Sequence, residues 1–251
     1  MLIYSSVKTF AQTEQRAQFW NEYAFVKNLN ADWALEADIG ITTSSTPNNS
    51  DPFNRIIQFY VRGWVHYYPS DRWRLTAAYS YYFNKNVPEL YQEKAPELRA
   101  SLQATYVLIK KRARVNLRAR IEDRHLKNED DYFEAVTRFR FQAKLTYPIN
   151  NPLIEKNTLY TFTSDEVFFK TQSSISGNSF FDRNRFTIGL GYAFPGDVQA
   201  ELSYANENLP RDNRTEIYHA IQVNVIFNDV IPSIKKAFSR EKTSIDNGNG
   251  P

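Results

Sequence analysis

The chain has 251 residues, with 31 Lys and Arg against 28 Asp and Glu, 16 Tyr, 18 Phe and no cysteine. A mean hydropathy of -0.56, and no run approaching the roughly 20 apolar residues of a spanning helix, exclude a helical membrane protein. The missing cysteine excludes disulfides, thiol catalysis and thiolate metal sites, and a net charge of +3 spread over alternating positions does not make a nucleic-acid patch.

Met1 to Gln12 ends in Thr9-Phe10-Ala11-Gln12, which is like the tail of a secretory signal cleaved near Ala11, but lacks the usual apolar core. Residues 1–16 are therefore read as a signal remnant with an N-terminal extension. Phe19 to Lys27 then reads as a strand. From Trp33 to Ile41, apolar and polar residues alternate with the period of two that a half-buried strand requires, and the polar stretch Thr42 to Asp51 follows. Ile57 to Tyr67 repeats the pattern and ends at the turn Pro69-Ser70-Asp71-Arg72. Trp73 to Phe83 and Leu98 to Leu108 resume it on either side of a polar loop, Asn84 to Pro96.

Lys110 and Lys111 turn the chain into its most informative segment. Arg112, Arg114, Asn116, Arg118, Arg120, Glu122 and Arg124 occupy one face, with Ala113, Val115, Leu117, Ala119 and Ile121 on the other. A helix would scatter these arginines around its whole circumference, so the strand reading prevails. After Lys127 to Asp131, the next strand sets Phe139, Phe141, Ala143, Leu145 and Tyr147 against Arg138, Arg140, Gln142, Lys144 and Thr146. Thr158 to Phe169 alternates less clearly. Asn184 to Phe194, Val198 to Tyr204 and Ile217 to Phe227 complete the series, with a short turn at Pro195-Gly196-Asp197 and a longer loop from Glu207 to Arg214.

Such strands suit a soluble sandwich with its apolar face inward or an outer-membrane barrel with that face toward lipid. Apolar faces of about 9 to 11 residues, alternating short and long connections, and aromatic residues at strand ends select the barrel. The expected fold is an all-β, transmembrane, antiparallel up-and-down barrel of about 10 to 12 strands over residues 17–228, with an arginine-rich lumen. Roughly ten strands lie between Asp32 and Phe227, and Phe19 to Lys27 makes an additional one; because single-chain bacterial barrels have even numbers, either that segment pairs in an unusual way or a strand is missed near Thr158 to Arg183. Residues 229–251 are read as a flexible periplasmic tail with a short amphipathic stretch around Ile231 to Phe238.

The expected lumen charges are Arg99, Arg114, Arg118, Arg120, Arg124, Arg138, Arg140, Arg183 and Arg185 with Glu97, Glu122 and Glu201, paired across strands. In a narrow barrel this network fills and stiffens the interior; with an open lumen the arginine excess favours anions. The three histidines, His66, His125 and His219, show no ligand spacing and no nucleophile–base constellation. The expectation is accordingly no enzyme, no catalytic residue, no metal and no cofactor. Partners are membrane lipid and an outer-membrane protein or lipoprotein docking on loops or tail, without nucleic acid.

Glu97-Leu98-Arg99, Arg118-Ala119-Arg120-Ile121-Glu122-Asp123-Arg124, Arg138-Phe139-Arg140, Glu166-Val167-Phe168-Phe169, Asp182-Arg183-Asn184-Arg185 and Gly189-Leu190-Gly191-Tyr192 come in the order found in one known family. From about Trp20 to Phe227 the chain resembles domain of unknown function 2490, a family of outer-membrane barrels of Gram-negative bacteria. That resemblance implies a barrel in the outer membrane and no particular activity. The residues themselves are read as a structural barrel or component of an envelope complex, alternatively as a narrow anion-leaning pore, with an outer-membrane enzyme as the third reading. One departure is the segment after Phe227, because barrels of this class commonly end on a terminal aromatic residue.

Overall fold

The computed structural model describes residues 12–90, 92, 94–127, 131–211 and 214–229. The suggested signal remnant, apart from its last residues, and nearly all of the expected tail lie outside them. Eleven strands run in chain order: β1 (Gln12–Asn28), β2 (Trp33–Ser44), β3 (Arg55–Tyr67), β4 (Trp73–Asn84), β5 (Pro96–Lys110), β6 (Arg114–Lys127), β7 (Phe133–Pro148), β8 (Thr158–Lys170), β9 (Phe181–Phe194), β10 (Val198–Pro210) and β11 (Arg214–Asn228). Each pairs antiparallel with its sequence neighbour, and β11 closes on β1 to complete a barrel. The only helical element among the described residues is the 3-10 turn Pro88–Leu90. No described helix is long and apolar enough to cross a membrane, which says nothing of a strand-built wall.

The closed barrel of eleven strands falls within the expected 10 to 12. No strand is missing near Thr158 to Arg183; β1 is the eleventh, and it begins at Gln12 rather than at residue 17. In an up-and-down meander an odd number leaves the first and last strands pointing the same way. The β1–β11 seam is accordingly parallel, from Gln12↔Arg214 to Val26↔Asn228. The connections also depart from strict alternation. The β7–β8 connection, on the rim of short turns, spans 149–157, while β10 and β11 extend into the expected Glu207 to Arg214 loop and leave only 211–213 between them.

Alternation places the apolar residues outside. Leu35, Ile39, Val61, Leu75, Ile121 and Phe141 all project from the wall and are exposed, in a belt much larger than the few-hundred-Å² patches of soluble monomers. At the short-turn rim, aromatic rings pair across strands: Trp33 with Tyr67 at 4.7 Å, Trp73 with Tyr106 at 4.8 Å, and Phe25 stacked on Phe227 at 5.1 Å. On β8 the middle of the outer face is polar, with Thr161, Thr163 and Asp165 between Leu159 and Val167, which explains its unclear pattern. Thr161 and Thr163 donate to the carbonyls of Gly189 and Thr187, and Asn184 Nδ2 donates to Asp165 at 2.7 Å.

Two tyrosine–glycine–glutamate rows recur on either side of the seam. Glu22 lies opposite Gly40, which lies opposite Tyr60; Glu201 lies opposite Gly191, which lies opposite Tyr160. Each ring lies over its glycine so that the hydroxyl donates to the glutamate beyond, Tyr60 to Glu22 and Tyr160 to Glu201 at 3.0 Å. A Cβ on Gly191 would sit 2.2 Å from Tyr160 Cζ. Gly191→Ala must displace the ring, and unfolding in urea should show a loss of about 1–3 kcal/mol, the usual cost of overpacking. Gly63→Ala, where a Cβ meets nothing within 4 Å, is the matched control and should leave the transition in place.

Candidate functional site: an arginine-lined chamber

Strand β6 supplies the site's centre because its even-numbered side chains all turn inward. Glu122, fully buried, accepts from Arg138 Nε at 2.6 Å and from Arg140 Nη1 at 2.8 Å, with Arg120 Nη1 at 3.4 Å and Arg99 at 3.8 Å. Arg140 reaches the other way to Glu166 at 2.8 and 3.0 Å, and Arg118 meets the same carboxylate at 2.6 Å. Glu97 receives a forked pair of bonds from Arg124 at 2.7 and 2.9 Å, and one from Arg99 at 2.9 Å. Bidentate guanidinium–carboxylate pairing of this kind fixes both partners' planes.

Aromatic rings tie the charges together. Phe168, 1% exposed, has the guanidinium carbons of Arg140, Arg185, Arg138 and Arg183 at 4.5, 5.3, 5.5 and 5.7 Å from its centroid. Arg120 lies 5.0 Å from the Trp64 ring and also donates to Gln103 Oε1 at 2.8 Å. Arg185 lies 4.8 Å from Trp20. A chain of contacts thus crosses the interior from Trp64 on β3 through β6, β7, β8 and β9 to Trp20 on β1. Arg99, Gln103, Arg138 and Arg140 are all buried even though they face the lumen, so this layer is packed rather than wet.

A second group surrounds β9. Register slips between Phe168 and Phe169, so that Phe168 opposes Arg183 while Phe169 opposes Phe181, and the extra residue is Asp182. The bulge turns both Asp182 and Arg183 toward the interior, which strict alternation forbids. Asp182 is met by Arg183 at 3.1 Å and by Arg211 at 3.4 Å, and Glu207 by Arg183 at 3.2 Å and by Arg185. Near the seam, Arg62 binds Asp38 at 2.7 Å and Glu22 at 2.5 Å, and Trp64 Nε1 donates to Asp38 at 2.6 Å. Arg99, Arg118, Arg120, Arg124, Arg138, Arg140, Arg183 and Arg185 share five carboxylates, those of Glu97, Glu122, Glu166, Asp182 and Glu207. The interior therefore keeps a positive excess.

Of the lumen residues expected from sequence, ten belong to these two groups. Arg114 and Glu201 do not: Arg114 is exposed toward the short-turn rim beside Asn116, and Glu201 pairs with Tyr160 and with Lys144 at 3.6 Å. Glu166, Asp182, Glu207 and Phe168 were missed as site residues. Glu166 and Phe168 fall in the strand with the unclear pattern, Glu207 in a segment read as loop, and Asp182 at the bulge. His66 is buried between Glu36 at 3.1 Å and Thr76 at 3.0 Å, whereas His125 and His219 face outward. Among the described residues no group of three or more His, Asp or Glu could hold a metal ion.

Above the packed layer, on the side of the β2–β3 and β4–β5 loops, a chamber of about 850 Å³ opens. Its rim is stiffened where Ile57, Val87 and Leu90 pack together and Gln92 donates to the Ile57 and Lys85 carbonyls at 2.8 and 2.9 Å. At the opposite rim Lys110 lies 2.7 Å from Asp71, and that hydrogen bond holds the exposed Asp71 carboxyl below its usual range.

Solved structures similar to this barrel include outer-membrane proteins. A bacterial polysaccharide outer membrane secretin matches with a TM-score of 0.51 at 11% identity, over 77% of this chain and 64% of the other, so the chain spans less than two thirds of that protein. LpxR from Salmonella typhimurium matches with a TM-score of 0.46 at 8% identity over 77% and 83%, and the β domain of the Bordetella autotransporter BrkA with 0.41 at 13% over 74% and 78%. No curated protein matches. The expectation of no enzyme is withdrawn: a barrel fold does not by itself exclude catalysis, because activity lives in the site and not in the fold. The model of a protein family of unknown function, DUF2490, covers residues 17–218, and with that match over most of its length the chain belongs to the DUF2490 family.

Proposed function

We propose that this protein is an integral barrel of the Gram-negative outer membrane whose lumen is shut by the Arg–Glu layer, and that it acts from its loop-end face rather than as an open pore. The exposed apolar belt with its aromatic rim supports the location, because lipid is the solvent that such a belt fits. The observation that carries the closed lumen is the burial of inward-facing charge: Glu122 is 0% exposed, and Arg138 and Arg140 are 5% and 8% exposed. Ions passing through the barrel would need water beside these groups.

The short-turn rim then faces the periplasm and the loop rim faces outward, as in barrels of this architecture. In this setting the arginine network is first a means of holding a narrow barrel rigid. The chamber above it is the surface left for a ligand or an envelope partner. Single-channel recording of the refolded full chain in a planar bilayer tests the reading. A folded, inserted protein should pass no resolved current, and discrete anion-selective steps from the unaltered protein would overturn the closed lumen.

A further inference from the structure

The chamber has two unlike walls. On the side of β6, β9 and the connection after β10 it is lined by Arg124, Lys127, Arg183, Arg185 and Arg211. Arg183, Arg185, Arg211 and Lys127 keep 19%, 28%, 26% and 30% of their side chains exposed, so the ion pairs that hold them leave part of each cation reachable from the chamber. Across from them, β11, β1, β3 and β4 contribute five carboxamides: Gln18, Gln58, Asn84, Gln222 and Asn224. Trp20 stands among these, its Nε1 donating to Gln18 at 2.7 Å. On this side the charge of Arg62 is cancelled by Glu22 and Asp38, and Lys94 of the β4–β5 connection is the remaining cation among the described residues.

We infer that the loop-end chamber is a binding site for an acidic saccharide, a sugar carrying a phosphate or carboxylate group. Carboxamides offer donors and acceptors together, the pairing that a ring of hydroxyls requires, and an indole supplies a flat apolar face for the sugar's C–H groups. Guanidinium forks match the oxygens of a phosphate or carboxylate. Arg185 stands where the two walls meet, with its guanidinium 4.8 Å from Trp20. A bare inorganic anion would leave the carboxamide wall idle, and a neutral sugar would leave the arginines idle. The volume of about 850 Å³ lies within the range of about 300–1,000 Å³ usual for small-molecule sites.

Calorimetric titration of the full chain in detergent tests this whether or not the barrel conducts. The probes are glucose 6-phosphate, glucuronic acid, glucose and inorganic phosphate. Both acidic sugars should bind at least about tenfold more tightly than glucose or phosphate, the worth of one charge-assisted contact added to a set of neutral ones. Arg185→Gln and Arg211→Gln should each weaken the acidic sugars severalfold. Trp20→Leu should weaken them similarly while leaving phosphate unchanged. Because Arg185 also pairs with Glu207 in the wall, Arg211→Gln, outside the strands, carries the test if Arg185→Gln does not fold. Equal affinity for phosphate and glucose 6-phosphate, equal affinity for glucose and glucuronic acid, or no binding of either acidic sugar would each overturn the proposal.

Discussion

Glu122→Gln should destabilise the barrel by about 3–5 kcal/mol, the cost of removing one partner from a buried ionic cluster. The substitution keeps the shape of the side chain, so no cavity opens. It removes the one negative charge that Arg138, Arg140, Arg120 and Arg99 share. Arg99, Arg138 and Arg140 form part of the chamber floor but are only 7%, 5% and 8% exposed, so little solvent reaches the charges left unpaired. Urea unfolding of the protein refolded in micelles gives the measurement. The natural comparison is Lys110→Ala, which breaks an ion pair between side chains 47% and 69% exposed and should leave the unfolding transition nearly in place. Adding Arg138→Gln to Glu122→Gln rebalances the charge and should recover part of the loss. If Glu122→Gln unfolds with the unaltered protein, the cluster is not what holds the lumen together.

The triple variant Arg120→Ala, Arg140→Ala and Phe168→Ala should turn a silent barrel into a conducting one. These side chains link Trp64, Glu122, Glu166 and the arginines of β9, so their removal breaks the contact chain at three successive points. Arg99, Arg118 and Arg124 remain, and the current should favour anions. Retention of the fold is read from slower migration of heated than unheated protein on a denaturing gel. A folded triple variant that still passes no current would move the closure elsewhere, toward the loops of the chamber rim.

Much of this architecture is legible in the sequence because a strand wall with one apolar face repeats its signal at every second residue. β6 and β7 show this most clearly, and their arginines lie where alternation puts them. Three kinds of information were not legible. On β8 the outer face carries Thr161, Thr163 and Asp165, so the contrast between faces vanishes and Glu166 and Phe168 are hidden with it. At the β9 bulge two consecutive residues point inward, and a rule of strict alternation sends Asp182 to the wrong side. Finally, pairing is a property of register. Nothing along the chain states that Arg118 and Glu166, 48 residues apart, meet at 2.6 Å, or that the two halves of the chamber differ in chemistry.

The parallel seam gives the molecule a direction. A meander with an even number of strands begins and ends on one side of its wall, like a bracket. This one passes through, entering at the loop rim with Gln12 and leaving at the turn rim, where Asp229 is held by Lys27 at 2.6 Å. The seam therefore joins the two places where the chain is least constrained by its own continuity, with opposite polarity at each end. The described wall therefore starts at one rim and stops at the other, so the two ends of the barrel differ in direction as well as in chemistry.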